Sequence, residues 1–162
     1  MPKLEYRTLT EQPPGVRMVA GPADPTIRGI AVVYDQLSLD LGGYRERIAP
    51  GAITFADDVW ALYCHNTDQV LGRVSAGTLR LVSLLDGVHF EVTPPDTQYV
   101  RDMRASMDRG DVSGCSFGFF LLQEDWVVEN NTPVRVVTRG VLHEITIGPM
   151  PVYPQTSAQA NG

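Results

Sequence analysis

This chain of 162 residues has few cysteines and histidines, no excess of basic residues and no long apolar run. Its two cysteines are too few for a disulfide scaffold, and its three histidines lack zinc-site spacing. The net charge is −6, which disfavours a nucleic-acid partner because phosphates repel an acidic protein. No apolar segment approaches membrane-spanning length. We therefore expect no metal, no cofactor, no nucleic acid and no membrane as partners.

The remaining composition is that of a globular protein, with 43% hydrophobic and 20% charged residues. The first residues lack the apolar core of a signal peptide, so we expect a cytoplasmic protein. Turn formers crowd residues 11–26, and small polar residues fill the end of the chain. These patterns predict an N-terminal extension at 1–27, a folded domain at 28–154 and a disordered tail at 155–162.

Alternating apolar residues predict a mainly antiparallel, barrel-like sheet. The clearest signal is a hairpin in which strands 78–85 and 88–93 flank Asp86-Gly87. Its core face would carry Leu85 together with other apolar residues of the two strands. Residues 97–109 predict one main helix ending before Gly110, with short helices around the sheet, one through Asp57-Asp58. Further strands are expected at 28–34, 59–65, 116–122, 134–138 and 141–147, which together give a β-rich α+β fold.

Ser116 is the candidate nucleophile because it lies among small residues at the start of an apolar run. It would share a strand face with Gly118, and nearby backbone amides, those of residues 114–116, could stabilise an oxyanion. A serine needs a base to attack a carbonyl group, and His65 is the candidate. On pattern alone, a buried serine satisfied by the backbone and a structural histidine remain open alternatives.

The group that would orient His65 is Glu144, or alternatively His143. Alternation along residues 141–147 puts Glu144 on one face with Leu142, and His143 on the other face. Spacing alone does not choose between them. Cys64 and Cys115 directly precede the candidate base and nucleophile, and we expect both to be buried free thiols behind the site.

Three sequence blocks together resemble the prohead serine proteases of tailed phages, which are related in fold to the herpesvirus assembly proteases. The blocks keep their order over residues 28–154. They are RGIAVVY at 28–34 with YRERIAPGA at 44–52; HN at 65–66 with LGR at 71–73; and PDT at 95–97 through RGDVSGCSFGF at 109–119, followed by EITI at 144–147 and PMPVYP at 149–154.

The resemblance implies a Ser-His endopeptidase with Ser116 as nucleophile, His65 as base and Glu144 in the acidic position. Thr146 stands where the family usually has serine. The implied function is cleavage of scaffold, or of the scaffolding segment of the major capsid protein, inside the assembling prohead in the host cytoplasm, followed by self-cleavage. No charged helical region follows residue 154, so we expect scaffolding to come from another protein.

Two other functions compete with this interpretation. The first is a non-catalytic β-rich head-assembly module, that is, a protease homologue without activity. The co-occurrence of serine, histidine and glutamate within matching motifs disfavours it. The second is a cytosolic esterase. Residues 114–118 do read G-C-S-F-G, but the pattern predicts that Ser116 begins a strand rather than standing on the strand-to-helix turn of a nucleophile elbow, which disfavours an esterase. A homo-oligomer is left open by the sequence.

Overall fold

The computed structural model describes residues 3–8 and 25–149 of the chain. The predicted tail at 155–162 lies outside these residues. Nine strands and one helix form the described part, in the following order along the chain: β1 Leu4–Thr8, β2 Ile27–Val33, β3 Arg45–Ile48, β4 Ile53–Tyr63, β5 Asn66–Arg73, β6 Leu79–Ser83, β7 Gly87–Val92, α1 Gln98–Asp108, β8 Gly114–Glu129 and β9 Thr132–Gly148.

The larger sheet is built around a long hairpin of β8 and β9. Its strand order is β1-β8-β9-β4-β5, and β3 also pairs with β9. Asn130 and Asn131 connect the hairpin with φ angles of 48° and 61°, as a type I′ turn requires. On its other edge β9 pairs in parallel with β3 and then with β4, while all remaining pairs are antiparallel. This arrangement brings the end of β4 beside the end of β9.

The smaller sheet has the order β2-β7-β6 and contains the predicted hairpin. Leu79 pairs with Val92 and Leu81 with Phe90, so the predicted core face is confirmed in the paired part. The turn lies one residue earlier than expected, because the Leu84 N–H donates to the Gly87 carbonyl across 2.8 Å. Leu85 is therefore a turn residue with 94% exposure, and its predicted place on the core face is wrong.

Helix α1 confirms the prediction of one main helix at about 97–109. Val100 and Met103 are its buried residues, in keeping with the apolar stripe in the sequence. The helix ends at Asp108, and Gly110, the residue after the C-cap Arg109, has a φ of 82° that suits a residue without a side chain. One hydrophobic cluster contains residues of both sheets and of the helix, so the two sheets and the helix share a single core.

The β-rich fold with mainly antiparallel sheets is confirmed, but the described strands do not close into a barrel. Nor do the described residues contain the short helices that the sequence predicts. Asp57 and Asp58 lie within β4, where residues 56–59 bulge out of the pairing with β9. The carboxylate of Asp58 holds this bulge because it accepts from Arg73 Nε at 2.8 Å and from the Ser75 N–H at 2.9 Å.

Two features of the larger sheet are not anticipated by the sequence. The predicted N-terminal extension contains a strand, β1, which pairs with the first part of β8. A buried ionic cluster surrounds Arg135, whose side chain is 9% exposed. Its guanidinium donates to Glu46 at 2.8 Å and to Glu5 at 2.7 Å, and Glu124 lies 3.4 Å away. The cluster therefore connects β1, β3, β8 and β9.

Candidate active site

His65 lies in a tight turn between β4 and β5. Cys64 and His65 are the two turn residues, and their φ angles of 52° and 55° are those of a type I′ turn. Such angles are uncommon for residues with a side chain. The turn is tied to β9 because the Cys64 N–H donates to the Ile147 carbonyl at 2.9 Å. The polar residues that follow, at 66–68, belong to β5.

The imidazole of His65 contacts the carboxylate of Glu144. The distance between His65 Nδ1 and Glu144 Oε1 is 2.5 Å, and the two side chains are 29% and 13% exposed. A carboxylate at Nδ1 favours the tautomer in which this nitrogen carries the proton. The other ring nitrogen, Nε2, is buried, and in this tautomer it has the lone pair that a general base needs.

Ser116 lies on the same sheet face as Glu144. In the pairing of β8 with β9, Ser116 is opposite Thr146, and Gly118 is opposite Glu144. Directly opposed residues project to the same face of a sheet, and diagonal neighbours lie roughly 7–8 Å apart. Ser116 is 5% exposed, while Phe117 next to it projects into the core.

The structure therefore brings His65 and Glu144 into direct contact and puts Ser116 on the sheet face of Glu144. Ser116 and Glu144 are held by the two strands of one hairpin, and His65 by the turn at the end of β4. These elements are far apart in sequence, so only the pairing of β4 with β9 brings them together.

His143 has a different environment. It is the extra residue of a β-bulge, because Gly118 pairs with Glu144 while the next residue, Phe119, pairs with Leu142. Its ring packs edge-on against that of Phe120, with centroids 4.2 Å apart. The bulge interrupts the alternation, so Leu142 is fully buried, and its predicted place on the face of Glu144 is wrong. Bulges of this kind re-aim side chains next to active sites.

The two cysteines differ in burial. Cys115 is buried as predicted, and burial raises the pKa of its thiol to about 12. Cys64 is exposed, so the prediction that it is buried is wrong. The reason is its place in the turn rather than in a strand. Partial desolvation still raises the pKa of Cys64 above its ordinary value.

The backbone amide of Ser116 is a poor candidate for oxyanion stabilisation. Ser116 is flanked on both sides, by Thr8 of β1 and Thr146 of β9. A residue between two strands uses its N–H in the hydrogen bonds of the sheet. Of the amides expected from the sequence, those of Gly114 and Cys115 remain candidates, because the described residues of β1 pair only with positions 116–120 of β8.

Within residues 3–8 and 25–149, no group of three or more His, Cys, Asp or Glu side chains is arranged to hold a metal ion. The same part of the chain has no helix that is both long and apolar enough to cross a bilayer.

Comparison with known proteins identifies the family. A sequence model of the caudovirus prohead serine proteases matches residues 16–162, which is nearly the whole chain. No curated protein matches the chain, and no solved structure does. The match covers the strands and turns that carry His65, Ser116 and Glu144. The chain belongs to the caudovirus prohead serine protease family.

Proposed function

We propose that this protein is a serine endopeptidase in which Ser116, His65 and Glu144 form the catalytic triad. The observation that carries the proposal is the 2.5 Å contact between His65 Nδ1 and Glu144 Oε1, on the sheet face to which Ser116 belongs. A carboxylate that fixes the tautomer of a histidine is the arrangement that activates a serine. Family membership supports the same chemistry.

The reaction follows from these roles. Ser116 Oγ attacks the peptide carbonyl while His65 Nε2 takes its proton. The imidazolium is stabilised by the negative charge of Glu144, and it then donates the proton to the leaving amine. An acyl-enzyme on Ser116 results, and water, activated by the same histidine, hydrolyses it. Both products leave, and the serine regains its proton.

We propose that the substrate is the scaffold protein, or the scaffolding segment of the major capsid protein, cleaved inside the assembling prohead in the host cell. Self-cleavage follows in the same compartment. The support is the family, whose description names the prohead as the place of action. The acidic net charge of −6 agrees with a protein rather than nucleic acid as the partner.

Co-expression with the capsid and scaffold proteins of the same phage tests this function. The native chain is expected to give shortened capsid or scaffold bands, and Ser116→Ala full-length bands. Ser83→Ala is the matched control, because Ser83 lies in the smaller sheet and is exposed. Identical bands for the native chain and Ser116→Ala would refute the protease and favour the non-catalytic head-assembly module.

A further inference from the structure

Thr146 connects the candidate base to its supporting strand. It is 2% exposed and lies on β9, opposite Ser116 and two residues after Glu144. Its hydroxyl accepts a hydrogen bond from the backbone N–H of His65 at 2.8 Å. The same hydroxyl donates to the Leu62 carbonyl at 3.1 Å. One side chain therefore bonds to the turn residue and to the strand that precedes the turn.

This double contact acts on a turn that is locally unfavourable. Type I′ turns favour Asn-Gly, because both turn residues need a positive φ. Here the turn residues are Cys64 and His65, and a side chain makes the left-handed conformation costly. The backbone of His65 is thus held in position by contacts from outside the turn, and the hydroxyl of Thr146 supplies one of them.

We infer that Thr146 is a positioning residue for catalysis, which fixes the backbone of His65 so that its imidazole reaches Glu144. The inference rests on the proposed function, because it assigns a role to Thr146 through the proposed base. The hydroxyl of Thr146 holds the backbone N–H of His65, while Glu144 holds the imidazole ring through Nδ1. A side chain that only filled space in the sheet would not need the hydroxyl.

The experiment separates the hydroxyl from the shape of the side chain. Thr146→Val keeps the shape and loses the hydroxyl, whereas Thr146→Ser keeps the hydroxyl and loses a methyl group. The full-length protein is treated with a fluorophosphonate probe, which a serine attacks with loss of fluoride, and the rate constant kinact and the constant KI are measured. Because a misplacement of about 1 Å costs roughly 100-fold, kinact is expected to fall by about 10- to 100-fold in Thr146→Val. KI is expected to stay unchanged, and Thr146→Ser to keep nearly native kinact.

Hydrogen exchange gives a second readout. The backbone amide of His65 is expected to exchange slowly in the native protein and in Thr146→Ser, and faster in Thr146→Val. If Thr146→Val does not fold, comparing Thr146→Ser with Thr146→Ala still tests the role of the hydroxyl, because these two variants differ only by that group. Thermal unfolding of each variant shows which ones are folded.

The outcomes distinguish this inference from the proposed function. A Thr146→Val variant as fast as the native protein, or faster than Thr146→Ser, would show that only packing matters and would overturn the positioning role. Ser116→Ala is the control for the function. Labelling of Ser116→Ala at the native rate, or no labelling of the native protein, would refute the proposed protease itself.

Discussion

Replacing Glu144 by glutamine is the sharpest perturbation of the proposed site. Glutamine has nearly the shape of glutamate, so the packing around the carboxyl group changes little. It removes the negative charge beside His65 Nδ1, which now lies 2.5 Å from a carboxylate oxygen. The amide can also present its N–H₂ to Nδ1, which would move the imidazole proton to Nε2 and remove the base.

The magnitude follows from the charge separation in the transition state. An imidazolium and a carboxylate whose charge centres are about 4 Å apart attract each other by roughly 4 kcal/mol at an effective dielectric constant near 20. At 1.36 kcal/mol for each factor of ten, this attraction corresponds to about a 10³-fold change in rate. The wrong tautomer adds to the loss, so we expect kcat to fall by about 10³- to 10⁴-fold.

The assay follows the cleavage of purified capsid or scaffold protein over time after it is mixed with each purified variant. His143→Ala is the matched control, because His143 packs on Phe120 and not on His65. Its rate is expected to stay within about tenfold of the native rate. A Glu144→Gln variant within tenfold of the native protein, with a large loss for His143→Ala, would refute the reasoning and assign the third position to His143.

Three further predictions concern stability and thiol chemistry. Arg135→Met leaves the buried carboxylate of Glu46, and the partly exposed ones of Glu5 and Glu124, without their cation, so we expect the free energy of unfolding, measured in urea, to fall by about 3–5 kcal/mol. Cys64 is expected to react with a disulfide reagent in the native protein, and Cys115 only after unfolding, because its pKa of about 12 and its burial suppress the thiolate. The hydrogen bond from Arg73 lowers the pKa of Asp58 below its ordinary 3.8. The contact therefore stabilises the folded protein above pH 3.8, and this contribution is lost as the pH falls through the lowered pKa. The melting temperature of Asp58→Asn is expected to fall less steeply in acid than that of the native protein.

Each of these predictions has an outcome that contradicts it. A loss below about 1 kcal/mol for Arg135→Met would mean that the carboxylates find water or protons instead. Equal reaction rates of the two thiols in the native protein would contradict the burial of Cys115. Parallel acid melting curves for the native chain and Asp58→Asn would show that this ion pair does not contribute to folding.

Local patterns were sufficient to predict several elements. The hairpin of β6 and β7 and the helix at 98–108 follow from alternation, helical spacing and turn residues over short windows. The apolar run that begins at Ser116 also predicts its strand, β8. These signals depend only on residues that are close in sequence, so they predict the elements without knowledge of the tertiary structure.

Features that depend on distant pairing were not predictable. The bulge at His143 lies where β9 pairs with both β4 and β8, and the residue types around this position do not predict a bulge. The turn at His65 lacks the glycine or asparagine that usually marks a type I′ turn, because its support comes from β9. The partners of Arg135 likewise come from three other strands.

The contact between His65 and Glu144 joins residues 79 positions apart. Ser116 and His65 are both synthesised before Glu144, and β9, which carries Thr146, holds the turn of His65. A nascent chain therefore carries its serine and its histidine on the ribosome without the carboxylate that orients them. With the triad proposed above, we expect proteolytic activity only in chains whose β9 has been synthesised and paired with β4.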